Sequence, residues 1–318
     1  MSTSLGIDIG GTNIKAAVVH ADGRVAAFEA SGWSGGAPVD ALMTIERLAA
    51  TVFERSGLTC ETCGCGCAGL IDHRAGIVHR SPNLPQWLDV RLAEELSRHL
   101  GVPVALENDA NAAAYGEFRA GAARGTTNAV MVTLGTGLGG GIILNGSIYR
   151  GSHGFAAELG HTVIDLSGGV RCACGTNGCV EPLVNAASLV SRARTLLEAG
   201  ERSSLSSHAG ELTARAVGEA AAQGDTMAAR VMAEAGRTLG VLLGNIVATL
   251  DPDVIVVGGG VAAAGSSLLD AAATELAART AVYQGVPTRI AVAELGDTAG
   301  VVGAALVADI AASEAFTG

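Results

Sequence analysis

Short apolar runs and longer amphipathic segments follow one another along the whole chain. Short apolar runs bounded by polar or turn-forming residues predict strands, namely Leu5–Ile9, Ile14–Val19, Val102–Leu106, Asn128–Leu134, Val254–Val257 and Arg289–Leu295. Apolar residues spaced three and four apart predict helices, namely Val39–Arg55, a segment from Ala110 onward, Leu212–Gln223, Thr226–Leu250 (started by Asp225) and Ala299–Ala312. We therefore expect strands and helices throughout the chain.

Composition and charge narrow the class of protein. The 318 residues are enough for two domains, and 49% of them are hydrophobic but only 3% aromatic, so Ala, Val and Leu must fill the core. The net charge of −11 argues against binding to nucleic acid or to an anionic membrane. The N-terminus has no basic apolar leader, and no apolar run is as long as a membrane span. The seven cysteines are clustered and odd in number, which favours a reducing compartment. We expect a cytoplasmic protein.

One stretch concentrates metal-binding side chains: His161, Cys172, Cys174 and Cys179. One imidazole and three thiolates suit a closed tetrahedral zinc site, because zinc prefers sulfur and nitrogen ligands. Unpaired structural cysteines are the alternative. Glu158 and Glu181 flank this stretch, which indicates that something polar binds beside it.

A second group of thiols has a different pattern: Cys60, Cys63, Cys65 and Cys67. Alternate residues of a strand point to opposite faces, so the last three would form a row and would not converge on one metal ion. We therefore expect small buried thiols in a strand rather than a second metal site.

Glycine-rich turns between strands are candidates for phosphate binding. The turn Gly10–Asn13 exposes backbone N–H groups, Thr12 adds a hydroxyl, and Asp8 stands where a carboxylate can hold magnesium; a plain hairpin turn is the alternative. The sequence 135–140 matches the dinucleotide pattern G-x-G-x-x-G, but a strand and an Asn145-Gly146 hairpin follow it where that pattern requires a helix. A dinucleotide site is thus excluded. Like the first turn, this glycine-rich turn joins two strands and is a candidate for phosphate binding. Glycines 258–260 predict a further nucleotide-facing loop.

Polar residues also follow two other predicted elements. The segment Ser81–Trp87 is expected to be a loop in which Asn83 can offer a donor and an acceptor to a ligand; a plain proline turn is the alternative. Glu107, Asn108 and Asp109 lie where a strand meets a helix, and such edges of α/β sheets bind ligands. Asp109 suits either a general base or a helix cap.

Seven motifs, in their order and spacing, resemble those of the ROK family of sugar kinases and repressors, within the actin-like ATPase group that includes hexokinase. They are DIGGTNIK at 8–15, SPNLPQW at 81–87, ENDANAAAYGE at 107–117, LGTGLGGGI at 134–142, ELGH at 158–161, CACGTNGCVE at 172–181 and VVGGG at 256–260. The resemblance covers essentially the whole chain. Each motif alone is a weak indication of the family, but the seven together, in this order and spacing, are highly specific for it.

The resemblance implies an α/β protein with the two-lobed actin-like ATPase (ribonuclease H-like) fold and a cleft between the lobes. The small lobe would be residues 1–120, completed by the closing helix at about 299–318, and the large lobe would be residues 121–298 with the zinc-binding loop. It further implies a kinase that uses ATP and Mg²⁺, contains structural Zn²⁺, and forms a homodimer or a larger homo-oligomer.

The resemblance also implies a role for each matched residue. Asp109 would be the catalytic base. The sugar would be bound by Gly69, Asn83, Asn108, Asp109, Glu158, His161 and Glu181. ATP would be bound by Asp8, Gly10, Gly11, Thr12, Lys15, Gly135, Thr136, Gly137, Gly259 and Gly260, with Asp8 holding magnesium through water. Zinc would be bound by His161, Cys172, Cys174 and Cys179.

The implied acceptor is the 6-hydroxyl of a hexose. Glucose is favoured because Glu158, His161 and Glu181 offer several polar groups to a fully hydroxylated ring, and no apolar cluster in those motifs indicates an N-acetyl pocket. Ala68 and Asn185 depart from the family pattern near the expected sugar site, where relatives often carry proline and serine. Some relatives with similar motifs phosphorylate kanosamine or a cyclitol. Another hexose, an amino sugar (kanosamine or an N-acetylated hexosamine) and a C7-cyclitol of a natural-product pathway therefore stay open.

A sugar-responsive repressor or a non-catalytic sugar sensor is the rival class, because the same family includes transcription factors. Those carry a helix-turn-helix domain before the DIGGT strand, whereas four residues precede Leu5 here and the chain is acidic. We therefore expect no DNA binding. A non-catalytic sensor would not explain Asp109 together with two phosphate-binding turns.

Overall fold

The computed structural model describes residues 2–81, 83–208, 212–283 and 288–315. The strands are β1 (Thr3–Ile9), β2 (Asn13–His20), β3 (Val25–Gly32), β4 (Thr62–Cys67), β5 (Leu70–Asp72), β6 (Ile77–Ser81), β7 (Leu84–Val90), β8 (Val104–Asn108), β9 (Ala129–Leu134), β10 (Leu138–Leu144), β11 (Ser147–Ile148), β12 (Val254–Gly258) and β13 (Arg289–Val292). The helices are α1 (Pro38–Ser56), α2 (Leu92–Leu100), α3 (Asp109–Ala120), α4 (Glu181–Val184), α5 (Ala186–Glu198), α6 (Ala214–Ala222), α7 (Thr226–Leu250), α8 (Ser266–Arg279) and α9 (Ala299–Ala315).

The first residues of α6 and α7 follow their capping residues. α7 has the bounds that the spacing predicts, and the Asp225 carboxylate caps it by accepting from Ala228 N at 3.0 Å. α6 begins at Ala214 rather than at Leu212, because the Thr213 hydroxyl caps it by accepting from Ala216 N at 3.1 Å. The last strand ends at Val292 rather than at Leu295, because its pairing with the parallel strand β12 ends at the pair Val257–Val292.

The expected loop at Ser81–Trp87 is wrong in its second half. β7 pairs antiparallel with β6 in a three-stranded sheet of order β5-β6-β7. The Trp87 ring is buried and its indole N–H donates to Gly36 O at 3.1 Å, so burial of this ring outweighs the turn signal of the prolines. Asn83 lies in the turn between the two strands, and Pro82 lies outside the described residues.

Two compact units divide the chain, and the first comprises Met1–Ala129, Gly141–Ala157 and Glu294–Gly318. Its five-stranded sheet has the order β3-β2-β1-β4-β8, in which β1, β4 and β8 are parallel. The register aligns Asp8 with Gly66, Gly66 with Glu107, and Cys67 with Asn108. The carboxyl ends of the three parallel strands therefore bring Asp8 and Asn108 to one edge of the sheet.

Helix α9 packs against this sheet and against α3 at glycines that leave no room for a side chain. A Cβ atom on Gly6 of β1 would lie 1.9 Å from Val301 O, and one on Gly64 of β4 would lie 1.7 Å from Ala304 O. A Cβ atom on Gly303 would lie 1.6 Å from Ala112 O in α3. The backbones of α9, α3 and the sheet are therefore in direct contact, which fixes α3 on the sheet.

The row of thiols lies in β4, as predicted. Cys63, Cys65 and Cys67 are each 0% exposed and belong to the hydrophobic core of unit 1. Among the described residues, the one group of side chains arranged to hold a metal ion lies elsewhere in the chain. Burial raises the pKa of Cys65 and Cys67 well above the ordinary thiol value, so these side chains are neutral packing groups.

The second unit comprises Val130–Gly140 and Glu158–Ala293. The sheet that contains β9 and β12 has the order β11-β10-β9-β12-β13. α7 packs closely on α8, because a Cβ atom on Gly236 would lie 2.2 Å from Leu268 O and one on Gly240 would lie 2.7 Å from Ala272 O. α7 alone among the described helices passes a length and hydropathy test for a membrane span, but 61% of its apolar window is buried in the protein, which is typical of a core helix.

Candidate active site and metal site

The N-terminus of α3 carries the predicted base. Asp109 is the first residue of the helix, and the cap is Asn108, whose Oδ1 accepts from Ala110 N at 3.0 Å and from Asn111 N at 3.1 Å. The alternative of Asp109 as the helix cap is therefore wrong. The Asn108 Nδ2 also donates to Gly69 O at 3.2 Å, so one N–H of this amide is committed and the other can reach a ligand.

A buried ion pair beneath this turn was missed by sequence reasoning. The Glu107 carboxylate is 2% exposed; its Oε1 accepts from Asn108 N at 3.0 Å and from Asn111 Nδ2 at 3.1 Å. Its Oε2 accepts from Arg150 Nε at 2.7 Å and also lies 2.7 Å from Arg150 Nη2. Glu107 thus holds both sides of the Asn108–Asp109 turn, and Arg150 balances its buried charge.

The first glycine turn lies beside Asn83 in unit 1. Gly10 N donates to Asn13 O at 3.0 Å, which closes the turn, and the indole N–H of Trp33 donates to Gly10 O at 2.8 Å. A Cβ atom on Gly11 would lie 3.1 Å from Asn83 Cβ, so the predicted phosphate turn and the predicted sugar ligand are neighbours. The contact of Trp33 with this turn was not predicted from the sequence. Tryptophan occurs only twice in the chain, and this rarity could have drawn attention to Trp33.

Gly69 has a backbone conformation that residues with a side chain rarely adopt. Its φ angle is +130°, and a Cβ atom there would lie 2.4 Å from Arg80 O. This glycine therefore allows the chain to turn after β4 and to bring its carbonyl to Asn108.

Asp8 lies between Lys15 and the N-terminus of α9. Its Oδ2 is 3.8 Å from Lys15 Nζ, and Lys15 also donates to Asp297 O at 3.1 Å. A Cβ atom on Gly300 would lie 2.7 Å from Asp8 Oδ2, so this glycine lets the first turn of α9 approach the carboxylate. Burial raises the pKa of Asp8, and the Lys15 ammonium opposes that shift. A carboxylate and a lysine at a strand end suit the binding of magnesium and phosphate.

The second glycine turn and the loop after β12 are neighbours in unit 2. Gly135 N donates to Gly137 O at 2.9 Å, and Ala186 N donates to Gly135 O at 2.9 Å. Gly259 has a φ of +90°, and a Cβ atom on it would lie 2.2 Å from Leu134 O. Thr136 and Gly260 are exposed. Backbone N–H groups of both glycine segments are thereby brought together, as an anion site requires.

The four predicted metal ligands converge. One ring nitrogen of His161 and the sulfur atoms of Cys172, Cys174 and Cys179 all lie within 4.8 Å of one another. Cys174 Sγ is 3.7 Å from Cys179 Sγ, and Cys172 Sγ is 3.5 Å from His161 Nδ1. Tetrahedral zinc with Zn–S bonds of about 2.3 Å and a Zn–N bond of about 2.0 Å requires separations of roughly 3.8 and 3.5 Å. The donor set and its spacing therefore fit zinc.

The orientation of His161 separates its two ring nitrogens. Nδ1 points to the cysteines, whereas Nε2 lies 3.9 Å from Glu158 Oε2. His161 stands at the end of a 3₁₀ turn, Leu159–His161, which brings its side chain and that of Glu158 together. A metal ion on Nδ1 would leave the proton on Nε2, so this nitrogen would be a hydrogen-bond donor beside a carboxylate.

Glu181 opens α4 two residues after Cys179, the last of the four candidate metal ligands. Its Oε2 accepts from Leu138 N at 2.9 Å, and its Oε1 lies 3.8 Å from Cys172 Sγ. A Cβ atom on Gly137 would lie 2.5 Å from Glu181 Oε2. The carboxylate thus contacts both the second glycine turn and the metal-binding loop.

A cavity of about 610 Å³ lies on the surface of α5 in unit 2, and its lining includes Ala187, Val190, Ser191, Arg194 and Thr213. Ala186 also lines this cavity, and its backbone N–H donates to Gly135 O. The cavity therefore adjoins the second glycine turn.

The predicted site residues fall into two groups. Unit 1 holds Asp8, Gly10, Gly11, Thr12, Lys15, Gly69, Asn83, Asn108 and Asp109. Unit 2 holds Gly135, Thr136, Gly137, Glu158, His161, Cys172, Cys174, Cys179, Glu181, Gly259 and Gly260. Contacts join particular members within each unit, such as Gly11 with Asn83, Asn108 with Gly69, and Gly137 with Glu181.

Comparisons with known proteins agree over nearly the whole chain. The model of the ROK family matches residues 4–310. The chain is 36% identical to the glucokinase of Halalkalibacterium halodurans over 312 residues, which cover 94% of this chain and 92% of that one. It is 34% identical to the glucokinase of Streptomyces coelicolor, with 96% and 97% covered. A crystal structure of a ROK family glucokinase from Streptomyces griseus in complex with glucose and AMPPNP is similar with a TM-score of 0.85 and 34% identity, covering 97% of this chain and 100% of that chain.

Proposed function

This chain belongs to the ROK family, and on that premise we propose that it is an ATP-dependent hexose kinase that phosphorylates the 6-hydroxyl of glucose. The predicted actin-like ATPase fold is confirmed by the structural match, and the prediction of a sugar phosphotransferase is confirmed by the glucokinase relatives. The observation that carries the choice of glucose is the match over nearly its full length to a family member solved with glucose and AMPPNP. We place the reaction in the cytoplasm, where thiols stay reduced.

Asp109 is our candidate general base. Phosphoryl transfer needs mainly positioning and neutralisation of charge, and the acceptor hydroxyl loses its proton late in the transfer. A carboxylate of ordinary basicity can accept that proton if it is held within hydrogen-bond reach of the hydroxyl. The Asn108 cap and the Glu107–Arg150 pair support this proposal, because both fix the backbone on the N-terminal side of Asp109.

Polar groups of the predicted set are our candidates for binding the sugar hydroxyls. In unit 1 we assign Asn83, the remaining N–H of Asn108 and the Gly69 turn to the sugar. In unit 2 we assign Glu158, His161 and Glu181, with the His161 Nε2–H donating to a hydroxyl. The proposal for His161 is supported by the direction of its ring, whose other nitrogen faces the cysteines.

Nucleotide phosphates would be held by Gly10–Thr12, Lys15, Gly135–Gly137 and the Gly259–Gly260 loop. Magnesium, bound through water near Asp8, would neutralise phosphate charge during the transfer. We assign the base of the nucleotide to the cavity on α5, because this cavity adjoins the Gly135 turn and combines apolar walls with the polar groups of Ser191 and Arg194. Zinc on His161, Cys172, Cys174 and Cys179 would be structural, since four protein ligands leave no open position.

The test is a coupled ADP-release assay with purified protein and MgATP. Acceptors are glucose, mannose, fructose, N-acetylated hexosamines, kanosamine and cyclitols. We expect the highest kcat/KM for glucose. Turnover of another acceptor with a kcat/KM more than tenfold above that of glucose would replace glucose as the substrate while leaving the kinase assignment intact.

A further inference from the structure

The two carboxylates that flank the metal-binding loop are held in different ways. Glu158 has a side chain that is 52% exposed, and its nearest charged partner among the described residues is His161, at 3.9 Å. Glu181 is partly buried and accepts a hydrogen bond of 2.9 Å from Leu138 N, at the end of the second glycine turn. The two side chains therefore have different neighbours, although both were predicted to bind the sugar.

The glycine turn is shaped to receive this carboxylate. The hydrogen bond from Gly135 N to Gly137 O closes the turn, and Leu138 N, the next backbone donor, is directed at Glu181 Oε2. A Cβ atom on Gly137 would lie 2.5 Å from that oxygen, so a side chain at position 137 would displace the carboxylate. Leu138 itself is 5% exposed, and its N–H would have to find another partner in a buried setting if Glu181 were removed.

The other end of the Glu181 side chain reaches the metal-binding loop. Its Oε1 lies 3.8 Å from Cys172 Sγ, and Val180 N, one residue earlier, donates to Thr162 O at 3.0 Å. Glu181 is thus fixed to the loop by its backbone neighbours and to the glycine turn by its carboxylate. One side chain connects the candidate metal site with the candidate phosphate turn.

We propose that Glu181 is a positioning residue for the Gly135–Leu138 turn, so that nucleotide affinity depends on Glu181 even when no sugar is bound. This inference rests on the proposed function, because it assigns the turn to nucleotide phosphates. The Oε2 hydrogen bond orients the backbone N–H groups of the turn, and the order of the metal-binding loop is transmitted to the nucleotide through that bond. Glu158 has no equivalent role.

The test measures the affinity for AMPPNP–Mg²⁺ by calorimetry in the absence of any sugar. Glu181→Ala removes the acceptor of the Leu138 N–H, and we expect AMPPNP to bind at least tenfold more weakly. Glu181→Gln keeps an oxygen acceptor of the same length, and we expect it to bind AMPPNP within threefold of the wild type. Glu158→Ala is the matched control, because it removes the other flanking carboxylate and should leave AMPPNP affinity unchanged.

A merely structural role would lower the melting temperature of Glu181→Ala and Glu181→Gln alike and would show no rescue by glutamine. AMPPNP affinity that is unchanged in Glu181→Ala, or lost equally in the alanine and glutamine variants, overturns the proposal. If Glu181→Ala does not fold, Glu181→Asp keeps the charge but withdraws the oxygen, and it should weaken AMPPNP binding as alanine would. A folded wild-type protein that binds no AMPPNP contradicts the proposed function itself, and the positioning role falls with it.

Discussion

The half of the candidate residues that belongs to unit 1 lies at the ends of regular strands and helices, whereas Glu158, His161 and the candidate metal-binding cysteines of unit 2 lie on an irregular loop. Asp109 and Asn108 lie at the junction of β8 and α3, and α3 packs backbone to backbone on α9. In unit 2, Glu158 and His161 lie on a segment whose described secondary structure, up to α4, is one 3₁₀ turn and two isolated β-bridges, Val163–Cys179 and Arg171–Asn177.

This difference predicts which interactions keep each group of candidate residues in position. Close packing through Gly64, Gly116 and Gly303 determines the position of α3 without any ligand. The loop has backbone hydrogen bonds, such as Ile164 N to Gly178 O at 2.9 Å, but it belongs to no helix or sheet that would hold it in place. We therefore expect a metal cross-link among His161 and the three cysteines to add to its order. Disturbance of the metal should therefore affect unit 2, and disturbance of the glycine contacts should affect unit 1.

The largest effect should come from substitution of the proposed base, Asp109, among the candidate residues of unit 1. Asp109→Asn keeps the size of the side chain and removes its ability to accept a proton, so kcat should fall by at least ~10²-fold. Glucose affinity, measured by calorimetry, should stay within a few-fold of the wild type. Near-normal turnover of a folded Asp109→Asn protein would show that the base is another group.

The second-largest effect should come from disturbing the packing of α9 against α3 in unit 1. Gly303→Ala places a Cβ atom 1.6 Å from Ala112 O, so α9 and α3 must separate. We expect the free energy of unfolding to fall by about 3 kcal/mol. Gly32→Ala is the matched control, because a Cβ atom there meets nothing within 4 Å. Equal denaturant midpoints for the two variants would contradict the direct contact of these helices.

The irregular half should respond to loss of one metal ligand. Elemental analysis of the wild type should give about one zinc per chain. Cys174→Ser should weaken metal binding, lower the melting temperature and raise the glucose KM roughly tenfold, since Glu158 and His161 would lose their orientation.

The ATP KM of Cys174→Ser should rise less than the glucose KM. We expect the smaller rise for ATP because the glycine turns lie far from the metal-binding loop in the sequence. The hydrogen bond between Glu181 and Leu138 explains why the ATP KM should rise to any extent. Absence of zinc from the wild type, or loss of ATP affinity with normal sugar affinity, would refute the structural-zinc account.

The smallest effect should come from the cavity on α5. Ala187 is exposed on its lining, so Ala187→Trp should fill part of the cavity without disturbing the core. We expect the ATP KM to rise about threefold to tenfold, since less than a whole binding site is blocked. The glucose KM is the internal control, and a change in it alone would assign the cavity to something other than the nucleotide.

Local patterns in the sequence were enough to predict several parts of the fold and the site. α7 was predicted at both ends because its spacing and its Asp225 cap are local features. The convergence of His161 with the three cysteines followed from the chemistry of four ligands in one stretch. The choice between Asn108 and Asp109 as the cap could not be made, because both residue types cap helices well and a boundary shift of one residue decides between them.

Long-range contacts could not be predicted from local pattern. The Glu107–Arg150 and Glu181–Leu138 bonds each join residues 43 positions apart. Nothing in the neighbourhood of Arg150 indicates a buried partner, and the carboxylate of Glu181 bonds a backbone N–H, a group that every residue but proline carries. The start of β7 was missed for a similar reason, because the indole of Trp87 is bonded to Gly36, which precedes α1.

We propose above all that this protein transfers the γ-phosphate of ATP to glucose with Asp109 as the base. The direct measurement is ³¹P NMR of the wild type and of Asp109→Asn, each incubated with MgATP and glucose. For the wild type we predict the resonance of glucose 6-phosphate to grow as the γ-phosphate resonance disappears, with one ADP formed per sugar phosphate. The variant should form the same product at least ~10²-fold more slowly. Conversion of ATP to inorganic phosphate without a sugar phosphate, or equal rates for the two proteins, would contradict the account.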